Sequence, residues 1–142
     1  MITIRYARET DRAFWFSLDT HLREAEFLRK VQGRRAYVIC EGEAPVGVMR
    51  YNLFWDTIPF LTFLYIAEDW QQRGFGRAAM LHWEAEMRAQ SHALLMTSTQ
   101  VDEMAQHFYR KLGYRDKGAL FFDGTSLAQP QELILMKVLA EA

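Results

Sequence analysis

The chain has 142 residues, of which 50% are hydrophobic and 14% aromatic, enough apolar side chain for one sizeable core. Its formal net charge of −1 argues against a nucleic-acid partner, which calls for a basic face. A single cysteine, Cys40, excludes an intrachain disulfide and favours a reducing, cytoplasmic setting. No apolar run approaches the roughly 20 residues that span a bilayer, and no signal-peptide core is visible. We therefore expect one domain, residues 1–142, without a membrane partner.

Hydrophobic periodicity and turn residues predict a regular succession of strands and helices. In chain order the predicted elements are strand 2–7, one broken or two short helices within 10–33, strand 36–40, turn 41–45, strand 46–54, turn 55–59, strand 59–67, helix 74–90, strand 92–99, helix 101–112, strand 114–122, turn 123–126 and strand 132–138. The candidate caps of the first helices are Thr10 or Asp11, and then Asp19 or Thr20. Gly113 is placed to end the helix before it.

This order of elements predicts an α/β (α+β) fold. We expect a mixed, mostly antiparallel central sheet of about seven strands, with helices on both faces. The early strands meander, whereas the strand–helix–strand in the middle requires a parallel crossover. An exposed strand at 132–138 offers an edge through which a homodimer could pair.

The most informative segment joins the apolar strand 59–67 to the following helix. Gly74 and Gly76 allow a tight turn and a close approach of backbone to a ligand. Free N–H groups at the positive end of the helix dipole favour phosphate, and Arg73 and Arg77 add positive charge. A diphosphate-bearing cofactor is the first hypothesis.

A dinucleotide-binding fingerprint is the alternative interpretation of the same glycines. Gly74, Gly76 and Ala79 match Gly-x-Gly-x-x-Ala, which would belong to a protein that binds NAD or ATP. That fingerprint requires repeated βαβ units and an acidic residue about 20 positions further on. An antiparallel meander precedes the glycines here, and residues 91–96 contain no acid.

Two motifs in register resemble the GNAT acyltransferase superfamily. Residues 71–76 match its Q-x-x-G-x-G motif, and residues 105–114 match its A-x-x-F-Y-x-x-x-G-[FY] segment. Each motif lies on the element where the superfamily carries it, and the resemblance extends over essentially the whole chain.

The resemblance implies acetyl-CoA as co-substrate and a direct attack on its acetyl carbonyl by a primary amine, from a small molecule or a protein. An N–H near Ile66 would polarise the thioester carbonyl, and Tyr109 would protonate the departing thiolate. Strand residues near Leu64 would splay from the neighbouring strand and pair with the pantetheine arm. The full set of cofactor-binding residues that we expect is Leu64, Tyr65, Ile66, Gln71, Gln72, Arg73, Gly74, Phe75, Gly76, Arg77, Asp102 and Phe108.

Two departures from the superfamily pattern concern the site. Asp102 stands where the motif usually has asparagine, and a carboxylate cannot donate the hydrogen bonds of an amide. Residues 60–63 lack the glutamate that often serves as general base, so Asp56 and Glu68, which flank the strand, are the candidates. Asp56 and its neighbour Trp55 lie in a turn and are also candidates for the acceptor side of the site.

Other side chains have two interpretations. Tyr109 lies on an apolar helical stripe, so spacing alone favours a core position over a catalytic one. Phe14, Trp15 and Phe27 either line an acceptor pocket or pack in the core. His82 and His107 lack the partner cluster that a metal site needs. We expect an acetyl-CoA-dependent N-acetyltransferase, with a catalytically weak CoA-binding sensor or interaction module as the alternative.

Overall fold

The computed structural model of the chain describes residues 1–139. Within that range it contains seven strands and four α-helices. The strands are β1 (Ile2–Tyr6), β2 (Ala36–Glu41), β3 (Ala44–Phe54), β4 (Ile58–Ile66), β5 (Leu94–Gln100), β6 (Arg115–Leu120) and β7 (Glu132–Val138). The helices are α1 (Arg12–Leu18), α2 (Glu24–Gln32), α3 (Phe75–Ala89) and α4 (Ala105–Lys111). No helix in this range is long and apolar enough to cross a membrane.

All seven strands join one sheet in the order β1-β2-β3-β4-β5-β7-β6. The β4–β5 pair is parallel, as expected for strands joined through α3. By contrast, β1–β2, β2–β3, β5–β7 and β6–β7 are antiparallel. The predicted fold class is therefore confirmed.

Two compact units make up the chain. The first comprises Met1–Asn52 and Thr62–Glu86, and the second comprises Leu53–Leu61 and the chain from Met87 onward. Both β4 and α3 thus contribute residues to each unit. The single-domain organisation expected from the sequence stays a prediction, as does the cytoplasmic location.

In the first unit, helices cover both faces of the sheet. Trp15 of α1 and Phe27 of α2 are fully buried, their rings 5.2 Å apart, in a cluster with β2 and β3 side chains. Trp15 and Phe27 are therefore core residues, and half-buried Phe14 packs against the same cluster. On the other face, the ring of Tyr51 lies 5.6 Å from that of Trp83 in α3.

The predicted helix caps are confirmed in part. Asp11 occupies the N-cap position of α1 but makes no side-chain cap bond to that helix. Its carboxylate binds the Arg5 guanidinium through both oxygens at 2.8 Å and accepts the N–H of Arg8, which precedes the short 3₁₀ turn before α1, at 2.8 Å. The prediction for α2 is wrong, since the residue at its N-cap is Arg23, not Asp19 or Thr20. Asp19 is instead fully buried and bonded to Arg50.

Two further predictions are corrected in the second unit. Helix α4 begins at Ala105 rather than 101, because the side chain of Gln106 donates to the carbonyls of Val101 and Glu103 and holds that stretch in turns. Strand β7 is not exposed at an edge, since it pairs with β5 on one side and β6 on the other. The suggested route to a homodimer through this strand is therefore wrong. Gly113 follows α4 with a φ of 98°, as predicted for a helix end.

Candidate functional site

A short, braced loop leads from the end of β4 into α3. A 3₁₀ turn (Glu68–Trp70) follows the strand. Beyond it, Nε2 of Gln71 donates to the carbonyl oxygen of Ile66 at 2.8 Å. The first glutamine of the Q-x-x-G-x-G motif thus uses its side chain to fix the loop against the last residue of the strand. Glu68, a candidate base, is exposed in this turn.

The loop backbone has the geometry of an anion cradle. Gln72 and Gly74 have φ values of 62° and 88°, in the left-handed region that leads N–H groups to converge. The first bond of α3 runs from the N–H of Ala78 to the carbonyl of Gly74 at 3.0 Å. The N–H groups of the residues between them therefore precede the first intrahelical bond.

In the part of the chain that the structure describes, residues 1–139, the space above Gly74 is open and the start of α3 is free of acidic residues. A Cβ added at Gly74 would meet no atom within 4 Å, so the turn faces open space. The first turn of α3 contains no acidic residue, which leaves the positive end of the helix dipole uncompensated. Arg73 and Arg77 are both exposed beside it. These observations fit a phosphate-bearing ligand.

Aromatic packing holds the loop in place. The rings of Trp70 and Phe75 meet edge-on with centroids 5.7 Å apart, and Phe75 is buried. The guanidinium carbon of Arg73 lies 5.2 Å from the centroid of the Trp70 ring. Arg73 is therefore positioned by a cation–π contact while its N–H donors remain at the surface.

The end of β4 lies unusually close to β3. At Gly47 an added Cβ would come within 2.9 Å of the Tyr65 carbonyl oxygen and 2.6 Å of Cδ1 of Ile66. Only glycine permits this approach. Gly47 thereby sets the position of Tyr65 and Ile66, two of the residues expected to hold the acetyl-CoA thioester.

The parallel ladder between β4 and β5 pairs Phe60 with Met96 and Leu61 with Thr97. Oγ1 of Thr97 donates to the Leu61 carbonyl oxygen at 3.1 Å. Its hydrogen-bonding contact with the hydroxyl of Tyr109 acts to lower the pKa of that hydroxyl, against the larger effect of burial. A buried chain of hydroxyl groups thus connects α4 to the ladder.

Burial determines the protonation of Tyr109. Its side chain is 7% exposed, and desolvation raises its pKa to about 12 because the phenolate would lose its hydration. The hydroxyl is therefore protonated throughout the neutral range and acts as a donor. Phe108, half-buried, contributes an edge-on ring 5.2 Å from that of Tyr109.

The β3–β4 hairpin presents Trp55 and Asp56 at its tip. Both central residues have positive φ, 55° and 58°, and the N–H of Thr57 donates to the carbonyl of Phe54 at 3.1 Å. This is a type I′ turn, which favours Asn-Gly and is strained with tryptophan and aspartate. Trp55 is 78% exposed, its ring 4.8 Å from that of Phe54. Asp56 is likewise exposed.

Comparison with known proteins settles the family. A model of the Acetyltransferase (GNAT) family matches residues 4–114. The chain belongs to the GNAT family. A comparison with curated protein sequences finds no match. Within residues 1–139 no group of three His, Cys, Asp or Glu side chains could hold a metal ion.

Solved structures of GNAT proteins share the whole fold at low sequence identity. Ard1 from Thermoplasma volcanium has a TM-score of 0.86 and 17% identity, with 99% of each chain covered. The ribosomal-protein-S18-alanine N-acetyltransferase from Escherichia coli has a TM-score of 0.80 and 18% identity, with 100% of this chain and 96% of that one covered. Arabidopsis thaliana Naa50, in complex with the bisubstrate analogue CoA-Ac-MVNAL, has a TM-score of 0.80 and 12% identity, covering 97% and 99%.

The structure contains one buried pair of charged residues that the sequence analysis did not predict. Asp19, in the connection between α1 and α2, is fully buried and accepts a hydrogen bond from Nε of Arg50 at 2.8 Å. Asp19 was predicted as a helix cap. Arg50 lies in the middle of a strand, where the alternation of polar and apolar residues does not predict a buried charge. The one available signal was an arginine at an otherwise core-facing position of β3.

Asp102 differs from the motif asparagine without distorting the chain. It is exposed in the turns that precede α4. There Oε1 of Glu103 accepts the N–H of Gln100 at 3.1 Å, and Gln106 satisfies nearby carbonyl groups. Neighbouring side chains therefore hold the bend that leads into α4, and Asp102 is left facing solvent.

Proposed function

We propose that this GNAT protein is an N-acetyltransferase that moves an acetyl group from acetyl-CoA to a primary amine of a small molecule or a protein. The observation that carries the proposal is the loop before α3. It combines left-handed backbone at Gln72 and Gly74, open space above Gly74 and a helix start free of acidic residues. That combination suits the pyrophosphate of coenzyme A better than a neutral ligand.

Each role in the reaction falls to a particular part of the chain. Backbone N–H groups of residues 72–77 bind the pyrophosphate, and main-chain groups of Leu64 and Tyr65 bind the pantetheine arm. The N–H of Ile66 polarises the acetyl carbonyl, and an amine attacks it directly without an acyl-enzyme. Acetyl-CoA supplies an activated thioester carbon and a thiolate leaving group.

Tyr109 serves the leaving group. Its pKa of about 12 exceeds the roughly 8.5 of a thiol, so complete proton transfer to a free thiolate is uphill by about 5 kcal/mol. We therefore assign to Tyr109 a hydrogen bond that strengthens as negative charge develops on sulfur. Solvent can then protonate the released thiolate. This assignment needs the hydroxyl to be protonated at neutral pH, and burial ensures that.

The nature of the acceptor is supported by two structural relatives. One is a ribosomal-protein-S18-alanine N-acetyltransferase, and the other, Naa50, is in complex with the bisubstrate analogue CoA-Ac-MVNAL. At 18% and 12% identity they support a primary amine as the acceptor class, whether on a protein or on a smaller molecule.

A CoA-binding sensor remains the second candidate because of one observation. Residues 60–63 contain no carboxylate, and the flanking Asp56 and Glu68 are both exposed. Neither has the buried setting that would adapt a carboxylate to act as a base near neutral pH. An amine that arrives already deprotonated needs no base in order to attack, and the proton that its nitrogen then loses can pass to solvent, which also protonates the released thiolate. For that substrate the enzyme interpretation stands.

Thermal protection by nucleotide ligands tests the proposal. Acetyl-CoA and CoA at 100 times their dissociation constants should each stabilise the protein by about 2.7 kcal/mol, whereas NAD and ATP should leave the melting temperature unchanged. Release of free thiol in the presence of an amine then separates the enzyme from the sensor. Protection by NAD or ATP in place of the CoA ligands would overturn the assignment.

A further inference from the structure

Arg50 is an almost completely buried arginine in the first unit. Its side chain is 9% exposed, and that of its partner Asp19 is 0% exposed. Nε of Arg50 donates a hydrogen bond to Oδ2 of Asp19 at 2.8 Å, and Nε1 of Trp15 donates to the same oxygen at 3.1 Å. The backbone N–H of His21 donates to the other oxygen, Oδ1, at 3.1 Å. The Asp19 carboxylate is thus fully engaged by the connection between α1 and α2.

The guanidinium of Arg50 is not fully engaged. Arginine usually binds a carboxylate through two parallel N–H bonds, as Arg5 does with Asp11 through Nη1 and Nη2. Arg50 reaches Asp19 through Nε alone, and among residues 1–139 no side chain or carbonyl accepts a bond from its two Nη atoms. In the same range Nε1 of Trp83 is the buried side-chain nitrogen or oxygen atom that has neither solvent contact nor a partner. Each Nη atom of Arg50 therefore keeps some contact with solvent, although the side chain as a whole is only 9% exposed.

This open edge lies beside the strand that is proposed to hold the thioester. The guanidinium carbon of Arg50 is 5.2 Å from the ring centroid of Phe63, one residue before Leu64. The Phe63 ring stacks on that of Tyr65, with centroids 6.3 Å apart. From Phe63 to Ile66 the strand rises by about 10 Å, at roughly 3.3 Å per residue.

Positive charge around Arg50 exceeds the negative charge. Nζ of Lys30 in α2 donates to the carbonyl of Tyr51 at 2.9 Å. Its pKa is lowered by burial and by the charges of Arg50 and Arg35, so both arginines are close enough to act on Lys30. Glu26 is also near Lys30 but is paired with Arg29. Within residues 1–139 Asp19 is the carboxylate bonded to Arg50, and its single charge is outnumbered by these three cations, so a further anion is favoured here.

We propose that Arg50 determines acceptor specificity and that the acceptor is a primary amine that also carries a carboxylate. The two Nη atoms form a planar fork that matches a carboxylate. The amine and the carboxylate would be separated by up to about 10 Å, the distance along the strand. Only the amine reacts, and the carboxylate is bound unchanged. This inference rests on the proposed function, since it names the substrate class of that site.

Matched acid and amide acceptors test the inference by steady-state kinetics. One pair is ε-aminocaproate and ε-aminocaproamide, and the other is the dipeptide amides Ala-Glu and Ala-Gln. The wild-type protein should prefer the acid in at least one pair by roughly 10- to 100-fold in kcat/KM, the worth of a charge-assisted hydrogen bond. The preferred pair tells a free amino acid from a peptide. Arg50→Lys should reduce the preference to less than about threefold, chiefly through KM for the acid.

Arg5→Lys is the matched control, because Arg5 is also paired with an aspartate in the same unit, the half-buried Asp11, but uses both of its Nη atoms in that pair. It should lower stability while keeping the preference for the acid. If Arg50→Lys does not fold, caproate can be tested as an inhibitor of the wild-type protein. We expect it to compete with the amine acceptor. Equal turnover of acid and amide by the wild-type protein would overturn the inference alone. Failure to acetylate any amine would remove the proposed function and this inference with it.

Discussion

Tyr109→Phe removes one oxygen atom from the proposed site and tests its chemistry directly. If the hydroxyl stabilises the leaving thiolate, kcat should fall by about 100-fold or more, the usual worth of a positioned hydrogen-bond donor to developing negative charge. The dissociation constant for acetyl-CoA, measured by thermal protection, should change little. The hydroxyl bond to Thr97 is lost as well, at a cost of about 1 kcal/mol in the free energy of unfolding.

Alkaline pH gives a second, independent readout of the same hydroxyl. Burial raises the pKa of Tyr109 from 10.0 to about 12, so its contribution to stability is complete below pH 10 and is lost as the pH rises through 12. By about pH 11 the wild-type protein should lose roughly 1.4 kcal/mol through this group. Urea unfolding near pH 9 and pH 11 should show this extra loss in the wild-type protein and its absence in Tyr109→Phe.

Tyr114→Phe is the control for both readouts. Tyr114 is buried in the same unit, its ring 5.9 Å from that of Tyr109, and the family motif accepts either tyrosine or phenylalanine there. This variant should keep kcat. An unchanged kcat in Tyr109→Phe would refute the role of its hydroxyl. Parallel losses of kcat and acetyl-CoA affinity would mean that Tyr109 only packs.

Four further variants probe the backbone. Gly47→Ala should lower the free energy of unfolding by about 1–3 kcal/mol and weaken acetyl-CoA binding, because the new Cβ would clash with the Tyr65 carbonyl. Unchanged thermal protection by acetyl-CoA would refute the role of this contact. Gly74→Ala and Gly42→Ala should each cost about 1 kcal/mol for a positive φ without a clash, but only Gly74→Ala should weaken acetyl-CoA binding. Equal effects of the two on binding would argue against the anion cradle. Replacing Trp55 and Asp56 together by Asn-Gly should raise stability by about 1 kcal/mol in urea unfolding; a loss instead would show that the Trp55 ring contacts outweigh the turn strain.

Much of the fold follows from local patterns. The apolar strand, the glycine turn and the helix after it are each encoded within a few residues, so β4 and α3 appear close to their predicted positions. The start of α4 was missed because its first turn is undone by side-chain bonds from Gln106 to backbone carbonyls. Hydrophobic periodicity does not reveal hydrogen bonds from a side chain that compete with those of the helix.

Strand order and buried charge could not be predicted from local sequence. Strand β7 lies between β5 and β6, and β6 forms the edge of the sheet. No property of residues 132–138 specifies that order. Asp19 and Arg50 are 31 positions apart, and each fits a more ordinary local interpretation. A candidate cap residue and an arginine in the middle of a strand become a buried pair only when β3 and the α1–α2 connection pack together.

The Asp19–Arg50 pair is also hard to explain by stability alone. Burying two charges costs several kcal/mol per ion, and well-packed apolar residues often do as well or better. A pair retained only to fix the α1–α2 connection would gain most from the two-point geometry that Arg5 and Asp11 adopt. Arg50 instead binds Asp19 through Nε alone and leaves both Nη atoms without a protein acceptor among residues 1–139, beside the Phe63 ring. A site that must bind an anion next to the acetyl-transfer strand has a use for that arrangement, because the buried aspartate orients the fork before the substrate arrives.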